Sequence, residues 1–202
     1  MKTQLTHMVS WAHRLLAEVL QPGDLAVDLT SGNGHDTLFL WRQVGVTGTV
    51  LSFDLQPQAL IASAQRLRAE GAVVVCGEGI DAATAGVRFV LADHAQVNDY
   101  LITAPQAAIA NLGFLPGGDQ TLVTRPQSTL AALRALCARL VGGGRIAVVA
   151  YSGHPGGREE GELVERFCAE LPPEQWRTIK LTTLNRRDAP WLMVLEKKMH
   201  HQ

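Results

Sequence analysis

Apolar residues recur at helical spacing from Leu5 to Leu20, with Leu5, Met8, Val9, Ala12, Leu15, Leu16 and Val19 on one stripe. Thr6 or Thr3 is the expected cap, and Pro22-Gly23 the stop. Leu25 to Leu29 then reads as a short buried strand, Thr30 to Asp36 as a turn of Gly and small polar residues, and Thr37 to Trp41 as the start of a helix ending near Val44-Gly45. Thr49 to Asp54 predicts a second strand, and Gln56 to Glu70 a helix with Leu60, Ile61, Ala64 and Leu67 on its apolar side. Gly71 to Gly86 carries no clear period; Val73 to Val75 reads equally as strand or packed loop. Arg88 to Ala92 and Gln106 to Leu112 predict the third and fourth strands, and Ser128 to Leu140 the next helix. Arg145 to Tyr151 is the most strand-like run, followed by a helix over Glu159 to Leu171. Trp176 to Leu184 and Trp191 to Lys197 read as a hairpin about the turn Asn185 to Pro190.

Strands alternating with helices imply an α/β, Rossmann-like fold: a doubly wound, mostly parallel sheet with a C-terminal antiparallel hairpin. A length of 202 residues favours a single domain over 1–202, with the helix over 5–20 expected to pack on the site edge. Hydrophobic residues at 47% and charged ones at 18% supply a sizeable core. The net charge of −1 means that a nucleic-acid partner would have to meet a local basic patch. Three cysteines without C-x-x-C spacing support neither a disulfide framework nor a zinc knuckle, and a reducing cytoplasm is the default. The N-terminus resembles no signal peptide, and no apolar run approaches membrane-spanning length. No histidine pair has the i, i+4 ligand spacing, so no metal site is expected.

In such a sheet the loops after the strands gather on one edge and bind the ligand there. Those loops are SGNGHD, DLQP, ADH, NLGFLPGGD and YSGHPGGREE, all polar or Gly-rich. Gly32 and Gly34 would let the backbone approach a ligand, and Asp28 at the strand end would orient the turn or meet a cationic group. Asp54 suits the two hydroxyls of a ribose; the alternative is a cap on the helix beginning near Pro57. Asp93 suits an adenine amine with His94 beside it, against a turn carboxylate and a solvated histidine. Thr37 stands where a dinucleotide site would place its third glycine, which argues against a nicotinamide oxidoreductase. S-adenosylmethionine has no phosphate and does not need that glycine.

Asn111-Leu112-Gly113-Phe114 is similar to the N-P-P-Y pattern of methyltransferases that act on exocyclic amines. An Asn side chain and the next carbonyl can accept hydrogen bonds from an amine, and Phe114 can stack on a base. The plainer reading is a tight turn with Phe114 in the core. His154 is a candidate general base, as is Glu160; a surface loop and a helix N-terminal acid are the alternatives.

With DLTSGNGHDTLFL, FDLQPQAL, NLGFLPGGD, the segment from Thr124 and YSGHPGGREE in view, nearly the whole chain resembles the YtqB-like group, long labelled rRNA methylases. The resemblance implies a class I methyltransferase fold and S-adenosylmethionine-dependent methylation of 5-aminomethyl-2-thiouridine at the tRNA wobble position, with the anticodon stem-loop as partner. It places Asp28, Gly32, Asn33, Gly34, Asp36, Thr37, Asp54 and Gln56 at the cofactor, with Asp93 and His94. It places Asn111 and His154 in catalysis, and Leu112, Gly113, Phe114, Leu115, Pro116, Gly117, Gly118, Asp119 and Tyr151 on the substrate side. Phe114 stands where the group commonly has Tyr, and Gly71 to Gly86 is longer than its usual link; a homodimer is compatible with the pattern. A small-molecule or rRNA methyltransferase is the rival reading, and a non-catalytic binding module a more distant one. Arg125, Arg158, Lys180, Arg186 and Arg187 would border the site as RNA contacts, or stand as ordinary solvated charge.

Overall fold

The computed structural model describes residues 5–75, 84–113, 124–151, 153 and 156–199. Among these residues eight strands form one sheet: β1 (Leu25–Asp28), β2 (Thr49–Asp54), β3 (Val74–Val75), β4 (Gly86–Leu91), β5 (Ala107–Leu112), β6 (Arg145–Ala150), β7 (Trp176–Leu181) and β8 (Trp191–Lys197). Their spatial order is β3-β4-β2-β1-β5-β6-β8-β7. The pairs from β3 to β6 are parallel, whereas β8 runs antiparallel to β6 and β7. Val74–Val75, ambiguous in the sequence, is a strand at the sheet edge. The final hairpin enters with its second strand innermost, because β8 carries the apolar run and β7 is exposed along most of its length.

The described residues also form six α-helices: α1 (Met8–Ala17), α2 (His35–Val44), α3 (Pro57–Ala69), the short α4 (Val97–Tyr100), α5 (Pro126–Arg139) and α6 (Gly157–Ala169). The inner strands are buried on both faces and therefore read as continuous apolar runs, with successive side chains entering opposite cores. Leu25, Val27, Ala108, Ala110, Ile146 and Val148 pack with α5 and α6 residues such as Leu133, Leu136 and Val164. Ala26, Ala107, Ile109, Ala147 and Val149 pack on the other face with Met8, Ala12 and Leu16 of α1, Leu38 and Leu40 of α2, and Leu67 of α3.

Two boundaries differ from expectation for local reasons. His7, not Thr6, caps α1, its ring accepting from the Ser10 backbone N–H. The helix is shorter than 5–20, and Leu5 lies outside it, largely exposed. Helix α5 begins at Pro126, earlier than Ser128, since proline at the first turn forgoes a donor that the helix would leave unpaired anyway.

Candidate active site

The sheet's direction of winding reverses between β1 and β5, and there the strand ends open into a cavity of about 760 Å³. Its floor is the turn between β1 and α2. Asp54, at the end of β2, accepts the backbone N–H of Gly32 at 2.9 Å on one oxygen and that of Gln56 at 2.9 Å on the other. Ser31 donates its backbone N–H to the Phe53 carbonyl and its hydroxyl to Ser63, and Ser63 donates to the Gly32 carbonyl. The turn is thus held against β2 and α3 at four points. Gly34 adopts φ +77°, and a Cβ there would stand 2.8 Å from the Cα of Ser63. Its glycine serves helix packing as well as turn geometry.

Asp28 lies beneath this turn, fully buried. It accepts the Thr30 backbone N–H at 3.0 Å and the Thr37 hydroxyl at 2.6 Å, and Thr37 also lies 2.9 Å from the Ser52 hydroxyl. Burial, with the Asp36 charge nearby, pushes the Asp28 carboxyl up to about 7.

Asn111, near the end of β5, forms the opposite wall. Its backbone N–H donates to the Thr30 hydroxyl at 2.8 Å, which ties the two strand ends together. Its side-chain Nδ2 donates to Asp36 at 2.9 Å, while its buried Oδ1 has no hydrogen-bond partner. The other Asp36 oxygen lies 2.6 Å from Nε2 of His13, on α1. Tyr151, just after β6, also lines the cavity; burial and the Asp36 charge raise its phenol above the usual value, so it stays a protonated donor.

At the end of β4, Asp93 caps the following 3₁₀ turn through the Ala95 backbone N–H and accepts the Ser128 hydroxyl at 2.8 Å. His94 is buried, with Nδ1 3.1 Å from the Leu29 carbonyl oxygen, and burial lowers its imidazole below the ordinary value. Glu160 is buried as well and accepts the Thr124 and Thr129 hydroxyls, each at 2.6 Å.

Among the residues expected at the site, Gly32, Asn33, Asp36, Asp54, Gln56, Asp93, His94, Asn111, Leu112, Gly113 and Tyr151 line the cavity. Asp28, Gly34 and Thr37 do not: they brace the turn from beneath, because β1 turns Asp28 into the core under α2. Glu160 is not on the wall either; its carboxylate is spent on two threonines. Phe114, Leu115, Pro116, Gly117, Gly118, Asp119 and His154 lie outside the described residues, as does the middle of the Gly71 to Gly86 stretch. Thr124, Ser128 and Asp188 line the cavity although the sequence did not direct them there, and Leu55 and Arg125 join them. Arg125 was foreseen only as a border cation, and Asp188 comes from the β7–β8 turn, which no periodicity directs to this edge. Lys180 is paired with Glu165 and lies over the Trp191 ring. Among the described residues, no group of three or more His, Cys, Asp or Glu is arranged to hold a metal ion.

A doubly wound sheet with a cavity at its switch point, an acid ending β2 and an antiparallel C-terminal strand pair is the architecture of class I methyltransferases. The chain belongs to the rRNA methylase family, which matches residues 50–197. It is 36% identical over 194 residues to an Arabidopsis thaliana protein named tRNA (mnm(5)s(2)U34)-methyltransferase, chloroplastic, spanning 93% of this chain and 68% of that one. It also matches a Clostridium thermocellum protein described as an rRNA-methylase, at a TM-score of 0.85 and 32% identity, over 94% of this chain and 97% of the other. A Streptococcus mutans protein described as a methyltransferase and solved in complex with SAH matches at a TM-score of 0.80, with the same identity and coverage.

Proposed function

We propose that this chain is an S-adenosylmethionine-dependent N-methyltransferase acting on the aminomethyl group of 5-aminomethyl-2-thiouridine at the tRNA wobble position. The observation that carries the reading is the unpartnered, buried Oδ1 of Asn111, a residue that lines the strand-end cavity, in a chain similar to a wobble-uridine methyltransferase. A buried acceptor without a donor is costly unless a ligand supplies one. An amine N–H supplies it and leaves the nitrogen lone pair free to point elsewhere.

The residues fit the cofactor. The Asp54 carboxylate uses one lone pair of each oxygen on the backbone and keeps the others for ribose hydroxyls. Leu29, Leu55 and Leu112 give apolar wall for a purine, and Asp93 stands ready for an exocyclic amine. The bound cofactor supplies a methyl group on a sulfonium, so the protein's task is mainly to position the acceptor. The Asp36 carboxylate attracts the protonated amine toward the pocket, the amine gives one proton to solvent as it enters, and Asn111 orients the neutral amine with its lone pair free.

For the RNA, Arg125 stands on the cavity wall, and exposed Arg186 and Arg187 directly precede Asp188, which lines it. These cations support an anticodon stem-loop approaching from the strand-end edge. The chain acts in this reading as one domain, since the eight strands among the described residues share one sheet, and in the reducing cytoplasm that its cysteine usage suits.

The test is a reaction of purified protein, S-adenosylmethionine and tRNA bearing the unmethylated nucleoside, followed by nucleoside mass spectrometry. Conversion to the methylaminomethyl nucleoside is expected. An unchanged nucleoside, or methyl label appearing in rRNA or a small amine instead, overturns the substrate.

A further inference from the structure

An asparagine amide is nearly symmetric in shape but not in chemistry. With Oδ1 toward the acceptor it receives an N–H; turned over, its NH₂ would donate to the very lone pair that must attack the methyl group. Something has to select one orientation, and a neighbour on the cavity wall, Asp36, does so. An ionised carboxylate only accepts, so Asp36 at 2.9 Å takes Nδ2 and leaves Oδ1 as the amide atom without a partner. Asp36 is itself almost wholly buried, and its second oxygen is held by His13 Nε2 at 2.6 Å. His13 is held in turn by Phe39, whose ring stacks on the imidazole with centroids 3.9 Å apart and planes 4° from parallel.

Three separate elements build this chain of contacts. Asp36 and Phe39 stand three residues apart on α2, so one helix face presents both the carboxylate and the stacking ring. Asn111 follows the parity of Ala107 and Ile109 on β5, and so points to the face carrying α1 and α2. Helix α1 is seated there by Met8, Ala12 and Leu16, which brings His13 over Asp36.

We propose that His13 is a positioning residue for methyl transfer: it holds Asp36, and Asp36 holds Asn111 with its carbonyl oxygen toward the acceptor amine. The role in transfer rests on the N-methyltransferase reading above, while the relay itself is a property of the free protein. Without His13 the buried Asp36 oxygen loses its donor, an expensive loss for a carboxylate, and the carboxylate is free to turn away from Asn111.

The test uses His13→Phe, which keeps a ring against Phe39 and removes the donor. Two readouts are taken. The first is the Asn111 side-chain amide signal in a ¹H–¹⁵N spectrum of the cofactor-free protein, assigned by its disappearance in Asn111→Ala. It is expected to shift in His13→Phe and to return toward the wild-type position in His13→Gln, whose amide can still donate. The second is the single-turnover rate with saturating tRNA. His13→Phe is expected to lower it about ten-fold or more, with S-adenosylhomocysteine affinity by calorimetry changed by less than about two-fold. In an Asn111→Ala background the same substitution should change the rate by less than about two-fold, because a residue acting through Asn111 has nothing left to act on. An Asn111 amide signal that stays in place, a wild-type rate in His13→Phe, or losses that multiply in the double variant would each overturn the proposal. If His13→Phe does not fold, His13→Ala carries the same readouts. A wild-type protein that leaves the tRNA unmethylated refutes the substrate reading, and the spectrum alone then decides whether His13 orients Asn111.

Discussion

Asp54 Oδ2 accepts the backbone N–H of Gly32 at 2.9 Å, so the acid ending β2 fixes the shape of the turn ending β1. The same carboxylate that faces the cavity also builds its floor. Asp54→Ala is expected to weaken S-adenosylmethionine binding about ten- to hundred-fold, or ~1.4–2.7 kcal/mol, by loss of both roles. Asp54→Asn should do no better, since its NH₂ would face the N–H of Gly32 or Gln56. Calorimetric affinity equal to wild type in either variant would remove Asp54 from the cofactor site.

Asn111→Ala separates binding from transfer. The cavity floor does not depend on the Asn111 side chain, so cofactor affinity should stay within about two-fold of wild type, while single-turnover methylation falls about hundred-fold, ~2.7 kcal/mol of transition-state stabilisation. A fall in cofactor affinity with the rate preserved would move Asn111 to the cofactor side.

Gly34→Ala places a Cβ 2.8 Å from the Ser63 backbone at a left-handed φ. Neither the turn nor α3 can give way cheaply, because Ser63 is bonded to both Ser31 and Gly32. A stability loss of about 2 kcal/mol or more is expected, read as a lower urea midpoint with an unchanged slope. A midpoint equal to wild type would show that Gly34 is not needed for packing.

The Asp28 carboxyl is raised from 3.8 to about 7 by burial and by the Asp36 charge. Between those values the folded protein holds a proton that the unfolded chain has released, so this group's stability contribution is full below about pH 4. It is lost progressively as pH rises towards 7, by up to about 4 kcal/mol. Thr37 serves both states: it donates to the carboxylate, or accepts from the carboxyl and donates to Ser52. Asp28→Asn should therefore flatten the pH dependence of unfolding between pH 4 and 7. A variant curve parallel to wild type across that window would exclude Asp28 as its source.

The order of elements and the identity of the site edge were legible in the chain because both follow from local signals. Apolar runs of strand length, helical stripes and Gly-rich strand ends alternate along it, and such a pattern admits few topologies. Asp54 and Asn111 stood out because each ends an apolar run beside a polar loop. Asp28 orients the turn, one of the two roles its place at the strand end allows, whereas the roles of Thr37, Gly34 and Glu160 were not legible in the same way. Each lies in or beside a motif that suggests ligand contact, yet strand parity or burial turns it toward protein partners.

What the sequence by itself determined is the alternation of strands and helices, since side-chain period and turn chemistry are properties of neighbouring residues. Only the tertiary structure decided that His13, Asp36 and Asn111 meet, leaving one oxygen of Asn111 without a donor. Residues 75 apart in the chain come within 2.9 Å because β5 pairs with β1, whose end turns directly into α2. No period along the sequence encodes which polar atoms such packing pairs and which it leaves for a ligand.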